Sequence, residues 1–568
     1  MALLRLSLVG FGCTNSYAHE PSNSDSASWT SEATGYKSGG FGWETVSFDV
    51  DLDFYPSLGR IDAVGRLQLR LDWPKSSGPN LRLAQNGMAF EAIKPPAGAS
   101  GGIHWERHEA SVRFPQKLSR GAEIHVEVRY RNLAPSLPKQ QVAIKRLVVS
   151  EKGAFASWIY GWYPFCRTLP NNSRSRMASG TTRITVPADW RSMANGRLIS
   201  AQSASARRTE TWHTEKKAGR GFVAGPYTVT THQVGDIAVN VLVSKRRGHL
   251  APVFAASLAA MVETLEHRLG HYPFESYGIA EIADELTAWT WSGMSEQGYF
   301  LAASRTFESV EGVNVPLFGH ELGHSWWGNH VFSANPGGAV ISEGLAQYCA
   351  VLVIEDIEGK PAAKKFMEFS RSGYALDQCA KGYFEYWRDG KDSRLLSKQP
   401  SIFIVRSKGH WILHMLRRRV GDEHFFTTLQ RVAQKYALER LDLPRLCHEF
   451  AQGAPPDAKL DEFFQQWLKR SGAPVLDVSW SPAHHGPEDE VVVHIRQQTE
   501  TPYHLFLDIR VDGDAGSCTQ RVELVDTNHS FSLRSMGKPT DVILDPERDL
   551  LIWRPEYLDA AELPNLDL

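Results

Sequence analysis

The sequence predicts a multidomain α+β protein in which two β-rich domains flank a helix-rich domain. Polar and apolar residues alternate from about residue 41 to 235, apolar residues recur at helical spacing from about residue 250, and alternation returns after residue 474. A chain of 568 residues is also too long for one hydrophobic core. We therefore expect an N-terminal β domain over 41–235, a helix-rich domain over 236–474 and a C-terminal β domain over 475–568.

The N-terminal β domain is predicted from three segments that alternate with a period of two residues. Apolar side chains occupy every second position in residues 46–54, 67–71 and 124–130. Such alternation is typical of strands with one buried and one solvated face. Breakers such as residues 95–98 and 100–102, rich in Pro and Gly, separate the segments.

The helix-rich domain is predicted from a change of period. Five apolar residues fall on one helical face: Phe254, Leu258, Met261, Leu265 and Leu269. Residues 460–468 form another candidate amphipathic helix. We expect mainly helical structure from about residue 250 until Gly472-Ala473-Pro474, which ends this part of the chain. Strand patterns then return at residues 505–511 and 542–544.

Residues 1–40 are interpreted as a possible signal or disordered leader. A short apolar run, residues 6–11, follows Arg5, and Ser16-Tyr17-Ala18 has the form of a signal-peptidase site. The run has the minimum length for a signal, so export and a cytoplasmic location both stay open. Later in the sequence there is no run of about 18 apolar residues, so we expect no membrane-spanning helix.

Composition excludes several classes of partner. The formal net charge is −2, from 62 basic and 64 acidic residues, so we expect neither nucleic acid nor an anionic membrane surface as a partner. The six cysteines form no CxxC unit, which argues against a cysteine zinc site. We interpret them as mostly buried free thiols. The sequence does not predict an oligomeric state.

The segment with the clearest chemistry is His320-Glu321-Leu322-Gly323-His324, an HExxH motif. On a helix, residues four apart share one face, so both histidines can reach one ion, and neutral imidazole is a good zinc ligand. Glu321 can then act on a water at the metal without binding it. Two surface histidines are the simple alternative, but Trp326 and Trp327 follow directly and favour a buried helix.

A third ligand is predicted further along the chain. A catalytic zinc usually has three protein ligands and one open position. Glu343 begins a second helical stretch, residues 343–357, and 18 residues, Ser325 to Ser342, separate it from the motif. That spacing leaves room for a turn that brings the second helix beside the first. We expect one Zn²⁺ per chain on His320, His324 and Glu343.

HExxH, 18 residues and then Glu, with Trp326-Trp327-Gly328-Asn329 after the second histidine, resembles the M1 family of gluzincin zinc aminopeptidases. The resemblance covers about residues 41–560. It implies an N-terminal β saddle, a thermolysin-like catalytic domain and a small C-terminal β sandwich. The large C-terminal helical domain of many members is expected to be missing.

A second family motif, GxMEN, is matched imperfectly by Gly293-Met294-Ser295-Glu296-Gln297. In the family, this edge strand binds the peptide backbone and its Glu captures the free α-amine. The resemblance therefore implies that Gly293 and Gln297 bind substrate and that Glu296 anchors the amine. A plain loop carboxylate is the alternative for Glu296, because the methionine is displaced and Gln replaces Asn.

The third family element, a Tyr before Lys-Gly that stabilises the oxyanion, is changed here. Arg406 stands at the position of the Tyr in Val405-Arg406-Ser407-Lys408-Gly409. A guanidinium can also stabilise an oxyanion. It can also read an acidic substrate group or point away to a surface carboxylate, and the change can equally mean altered or lost activity. Tyr374, Tyr383 and Tyr386 are alternative donors.

The sequence thus predicts zinc-dependent removal of N-terminal residues from peptides, with Glu321 as general base and Arg406 as oxyanion donor. An M1-like endopeptidase or narrow-specificity hydrolase is one alternative. A degenerate M1-like scaffold that binds partners and catalyses nothing is the other.

Overall fold

A computed structural model of the chain describes thirteen segments: 43–71, 81–84, 88–94, 104–106, 109–112, 118–132, 147–166, 176–286, 293–308, 312–370, 378–397, 400–485 and 488–563. The described residues form two compact units. The first lies within Gly35–Glu266 and His271–Asn314, and the second within His267–Gly270 and Val315–Leu568. The protein is of the mixed α/β class, with several β-sheets and, among the described residues, nine α-helices.

Most strands belong to the first unit. They are β1 (Trp43–Tyr55), β2 (Arg60–Leu71), β3 (Leu81–Ala84), β4 (Met88–Lys94), β5 (His104–Glu106), β6 (Glu109–Val112), β7 (Glu123–Asn132), β8 (Val148–Ser150), β9 (Gly153–Ala156), β10 (Phe165–Cys166), β11 (Ala178–Pro187), β12 (Arg191–Ala194), β13 (Arg197–Ala204), β14 (Arg207–Ala218), β15 (Phe222–Gly225), β16 (Tyr227–Val234), β17 (Ile237–Ser244), β18 (Ser276–Ile282), β19 (Gly293–Glu296) and β20 (Tyr299–Ala303).

The helices belong mainly to the second unit. They are α1 (Ala251–Leu269), most of which lies in the first unit, α2 (Val315–Gly323), α3 (Leu345–Ile357), α4 (Lys360–Phe369), α5 (Ala380–Arg388), α6 (Ile402–Val420), α7 (Asp422–Lys435), α8 (Leu443–Ala451) and α9 (Leu460–Lys469). The strands of this unit are β21 (Phe332–Ser333), β22 (Arg440–Leu441), β23 (Leu476–His485), β24 (Glu488–Gln497), β25 (Leu505–Gly513), β26 (Gly516–Leu524), β27 (Asn528–Arg534) and β28 (Pro539–Leu544).

A seven-stranded sheet with the order β13-β14-β11-β1-β2-β7-β4 dominates the first unit. The three alternating segments predicted as strands lie in β1, β2 and β7, so that prediction is confirmed. The register pairs Phe48 with Leu67 and Leu52 with Ala63, all four on the buried face. Two four-stranded sheets, β10-β3-β6-β5 and β12-β15-β9-β8, complete this part of the unit.

A five-stranded mixed sheet with the order β16-β17-β18-β20-β19 ends the first unit. Strands β17, β18 and β20 run parallel, and β19 pairs antiparallel to β20 at the edge. The expectation of mainly helical structure from about residue 250 is wrong here, because three strands lie between residues 276 and 303. Every residue of β18 is buried, so the strand shows no alternation in the sequence.

The remaining helix and strand predictions are also confirmed. The 254–269 face lies in α1 and the 460–468 candidate in α9. Beyond α9, two three-stranded sheets, β23-β24-β27 and β26-β25-β28, contain the predicted strands at 505–511 and 542–544. Across the described residues, no helix combines the length and apolar character needed to span a membrane.

The cysteine interpretation is also confirmed where the structure describes it. Five cysteines are free thiols, of which Cys166, Cys349, Cys379 and Cys447 are buried. Cys13 and the whole leader prediction lie outside the described residues, as does Tyr374.

Candidate metal centre

The HExxH segment lies on α2, which packs closely against α3. Two glycines one helical turn apart, Gly319 and Gly323, face the contact. A Cβ added at Gly323 would lie 2.6 Å from the Cβ of Cys349, and one at Gly319 would lie 3.2 Å from the Cα of Ala350. Residues larger than glycine at these two positions would not allow the two helices to pack this closely. The close packing is what brings the histidines beside the start of α3.

Glu343 is presented by a turn of π-helix, Val340–Gly344, that leads directly into α3. The sequence predicted regular helix from Glu343, and the structure differs by this widened turn. Turns of π-helix are rare and occur frequently at functional sites. Here the turn directs the Glu343 carboxylate toward α2, where Oε2 lies 3.5 Å from Nε2 of His320 and 3.8 Å from Nε2 of His324.

These separations fit one tetrahedral zinc. Zinc bonds of about 2.0–2.1 Å place neighbouring ligand atoms about 3.4 Å apart. One ligand atom from each of the three residues lies within 4.8 Å of the others. The 3.5 Å from His320 to Glu343 is also longer than a normal N–H···O hydrogen bond, so a direct bond between them does not explain the arrangement. Donor types and spacing both suit the ion.

Protonation also suits metal binding. Burial, reinforced by the charge of Arg406, lowers the pKa of His320 to about 3, so its imidazole is neutral. Burial raises the pKa of Glu343, but Arg406, His324 and His320 more than offset this and hold it well below the ordinary value of 4.5. Neutral imidazole and ionised carboxylate are the forms that bind zinc.

The second histidine is oriented by the turn that follows it. Helix α2 ends at Gly323, one residue before His324, although the His324 N–H still donates to the His320 carbonyl at 3.3 Å. Nδ1 of His324 lies 3.0 Å from the Trp327 carbonyl, which leaves Nε2 for the metal. Gly328 has φ +113°, a conformation that favours glycine, and its N–H donates to Val331 at 2.8 Å to close the turn.

Glu321 follows the first ligand on α2 and is partly buried. Burial raises the pKa of Glu321 to about 7, while the charges of His324 and Arg406 act in the opposite direction. A carboxylate with a pKa near neutrality is suited to accept a proton and return it. Its role as general base stays a prediction.

Arg406 lies on α6 and contacts a predicted ligand. Its Nε and Nη2 donate to Oε2 of Glu343 at 2.9 and 2.6 Å. The guanidinium therefore does not point away to a surface carboxylate, since Glu343 is 7% exposed. Its predicted role as oxyanion donor stays a prediction. Of the alternative donors, Tyr383 donates to Asp392 at 2.9 Å, and the ring of Tyr386 stacks on Phe403.

The GxMEN-like segment lies in the first unit, on the edge strand β19. Gly293 is required by packing, because an added Cβ would lie 2.0 Å from Cζ of Phe300. Glu296 is a fully buried strand residue rather than a loop carboxylate, and its Oε2 accepts the Trp158 N–H at 3.2 Å. Burial raises the pKa of Glu296 to about 8, against smaller lowering effects of hydrogen bonds from Ser157 and Trp158.

Gln297, predicted to bind substrate, is itself buried and is hydrogen-bonded to the loop at residues 219–221. Its Oε1 accepts the Gly219 N–H at 2.7 Å, and its carbonyl accepts from Nδ2 of Asn195 at 2.6 Å. In turn, Gly221 borders the carboxylate, since an added Cβ would lie 3.1 Å from Oε2 of Glu296. Sequence reasoning missed this loop, although its two glycines, at 219 and 221, were a visible signal.

Two imidazoles, one carboxylate ligand and a second carboxylate beside the first imidazole define a zinc metallopeptidase centre of the HExxH type. Comparison with known proteins shows which family this part of the chain resembles. Residues 293–467 match the sequence model of the Peptidase family M1 domain. Residues 293–467 are thus similar to M1-family zinc metallopeptidases, which agrees with the predicted family resemblance and with zinc as the cofactor.

Curated relatives are 24–28% identical to the chain over the aligned residues. The chain is 26% identical over 231 residues to a leukotriene A-4 hydrolase homolog of Botryotinia fuckeliana, covering 38% of this chain and 33% of that protein. It is 25% identical over 194 residues to aminopeptidase N of Lactococcus lactis subsp. lactis, covering 33% and 22%. The chain therefore spans about a third or less of the curated relatives it matches.

Solved structures show that the fold is shared more widely than the sequence. The crystal structure of an M1 zinc metallopeptidase from Deinococcus radiodurans matches with a TM-score of 0.58 and 20% identity, covering 75% of this chain and 94% of that one. A mutant of the Deinococcus radiodurans protein bound to a Tyr-Ser-Ala substrate matches with a TM-score of 0.56 and 18% identity, covering 78% and 96%.

Proposed function

We propose that the chain is a zinc-dependent aminopeptidase that removes N-terminal residues from peptides. One observation carries the proposal: Oε2 of Glu343 lies 3.5 and 3.8 Å from the Nε2 atoms of His320 and His324, with Glu321 adjacent on α2. The name of the Lactococcus lactis relative, aminopeptidase N, and the tripeptide substrate of the structural neighbour support the substrate class.

In the proposed mechanism, zinc would be held by His320, His324 and Glu343, where it supplies the Lewis acidity that polarises a scissile carbonyl and acidifies water. Glu321 accepts the proton of the attacking water and then delivers it to the leaving amine, consistent with its pKa of about 7. The carboxylate of Glu296 pairs with the α-ammonium of the substrate, which selects free N-termini.

We also propose the finer architecture implied by the family: a leader over 1–40, a β saddle over 41–235, a thermolysin-like catalytic domain over 236–474 and a β sandwich over 475–568. Limited proteolysis followed by mass spectrometry tests these boundaries, since cuts are expected between the proposed domains.

The proposed activity is tested with a pair of peptides. Zinc-loaded protein is given a peptide with a free α-amine and the same peptide with an acetylated amine, and products are identified by mass spectrometry. Stepwise release of residues from the free peptide alone supports the proposal. Internal cleavage of both peptides would instead show an endopeptidase, and stoichiometric zinc without cleavage of either would show a binding scaffold.

A further inference from the structure

The two backbone segments that carry Arg406 and Glu343 pack against each other and fix the geometry of the ion pair. Helix α6 approaches the π-helical turn so closely that a Cβ added at Gly409 would lie 3.7 Å from the Cα of Gly344. Nδ1 of His410 is hydrogen-bonded to the Arg406 carbonyl, which ties the same helical turn. The guanidinium is therefore directed at the carboxylate by two elements that touch each other.

The ion pair engages the oxygen that faces the histidines. Both N–H groups of Arg406 donate to Oε2 of Glu343, and Oε2 is also the atom 3.5 Å from Nε2 of His320. A carboxylate oxygen has about two lone-pair sites, so this one already accepts its usual number of bonds. A metal bound through the same oxygen must share it with the guanidinium.

We propose that Arg406 is a positioning residue that orients Glu343 and, through its charge, weakens the affinity of the centre for zinc. This inference rests on the proposed zinc site. Two opposing effects are involved. Partners that orient a ligand contribute about 10–100-fold to metal affinity. A +1 and a +2 charge about 5 Å apart disfavour binding by a few hundredfold, even at an effective dielectric constant of about 40, twice the typical surface value.

The charge effect is therefore the larger, and removal of both the charge and the orienting contacts should strengthen binding by about tenfold. The proposal differs from the oxyanion role, because it needs no contact between Arg406 and substrate. It also separates charge from geometry: Lys keeps the charge without the planar fork, Gln keeps donors without charge, and Met keeps only the stem.

The test is zinc affinity rather than activity, measured by competition with a chromophoric chelator in wild type, R406M, R406Q and R406K. We expect R406M to bind zinc about tenfold more tightly, R406Q, which keeps hydrogen-bond donors, to bind it at least as tightly as R406M, and R406K to stay closer to wild type. The matched control is R418M, which removes a positive charge from the same helix, where Arg418 pairs with Asp549 at 2.8 Å. Its zinc affinity should be unchanged.

Weaker or unchanged zinc affinity in both R406M and R406Q would overturn the inference. Circular dichroism of the zinc-free variants establishes whether each is folded, and R406Q, the milder change, serves if R406M is not. Failure of the zinc site itself has a different signature, because wild type would then bind no stoichiometric zinc and H324A would behave like wild type.

Discussion

Replacing Glu296 by Gln should stabilise the protein, by an amount that grows with pH. Glu296 is fully buried, and burial raises the pKa of its carboxyl to about 8 from an ordinary value of 4.5. Below pH 4.5 the folded and unfolded states both hold the proton, and the carboxyl contributes nothing to the difference. Between pH 4.5 and 8 only the unfolded state loses the proton, so wild-type stability falls as pH rises.

The magnitude follows from the two pKa values. At about 1.4 kcal/mol per tenfold change in proton affinity, the destabilisation above pH 8 is about 5 kcal/mol. Gln is nearly isosteric, and its amide oxygen can still accept the Trp158 N–H, so E296Q removes the charge and little else. At pH 8.5 this difference corresponds to a rise in Tm of roughly 10 °C for the first unit, and at pH 4.5 to almost none.

The assay is thermal unfolding of wild type and E296Q at fixed scan rate from pH 4.5 to 8.5. The matched control is E127Q on β7, because Lys94, at 2.6 Å, lowers the pKa of Glu127 rather than raising it. Its stability difference should have the opposite sign and be small. Curves for wild type and E296Q that run parallel across the whole pH range would refute the argument from burial.

Three further predictions concern the general base, the orientation of His324 and the binding of the substrate amine. E321Q should retain stoichiometric zinc and lose about 10²–10⁴-fold in kcat, because Gln cannot accept the proton; near-normal kcat would exclude Glu321 as the base. G328A should weaken zinc affinity by about 10–100-fold, because strain in the turn displaces the carbonyl that orients His324, and chelator competition measures it; unchanged affinity would contradict that role. A peptide with a free amine should release about one proton on binding at pH 6.5, since Glu296 must ionise to pair with it; calorimetry in buffers of different ionisation enthalpy detects this, and equal release by the acetylated peptide would count against the pairing.

The sequence predicted those strands and helices that have one wet face. Strand β1 and helix α1 each leave a periodic pattern of apolar residues, so their positions were readable. Strand β18 is buried on both faces and leaves no period. The sheet at residues 276–303 was therefore missed, although its edge strand β19 carries the segment singled out by the family motif.

Within the candidate site, spacing along the chain predicted which residues meet but not how they are oriented. The HExxH interval follows from helix geometry, and an interval of 18 residues suffices for Glu343 to return to the same place. The π-helical turn and the Trp327 carbonyl that orients His324 depend on backbone details no side-chain pattern records. The two glycines on the contact face of α2 are visible in the sequence, but only the structure shows that they allow close packing against α3.

At Arg406 the motif predicts the position of the residue but not the contact that its side chain makes. The motif places residue 406 at the centre because α6 packs on the ligand turn, and this holds for any residue there. A tyrosine at this position is neutral and has no charge to pair with a carboxylate. A guanidinium is permanently charged, and it pairs with the carboxylate of the predicted ligand Glu343 at 2.6 Å. The same backbone position thus directs a charged side chain to the ligand, and the measured zinc affinity of R406Q would distinguish that effect from a role on the substrate.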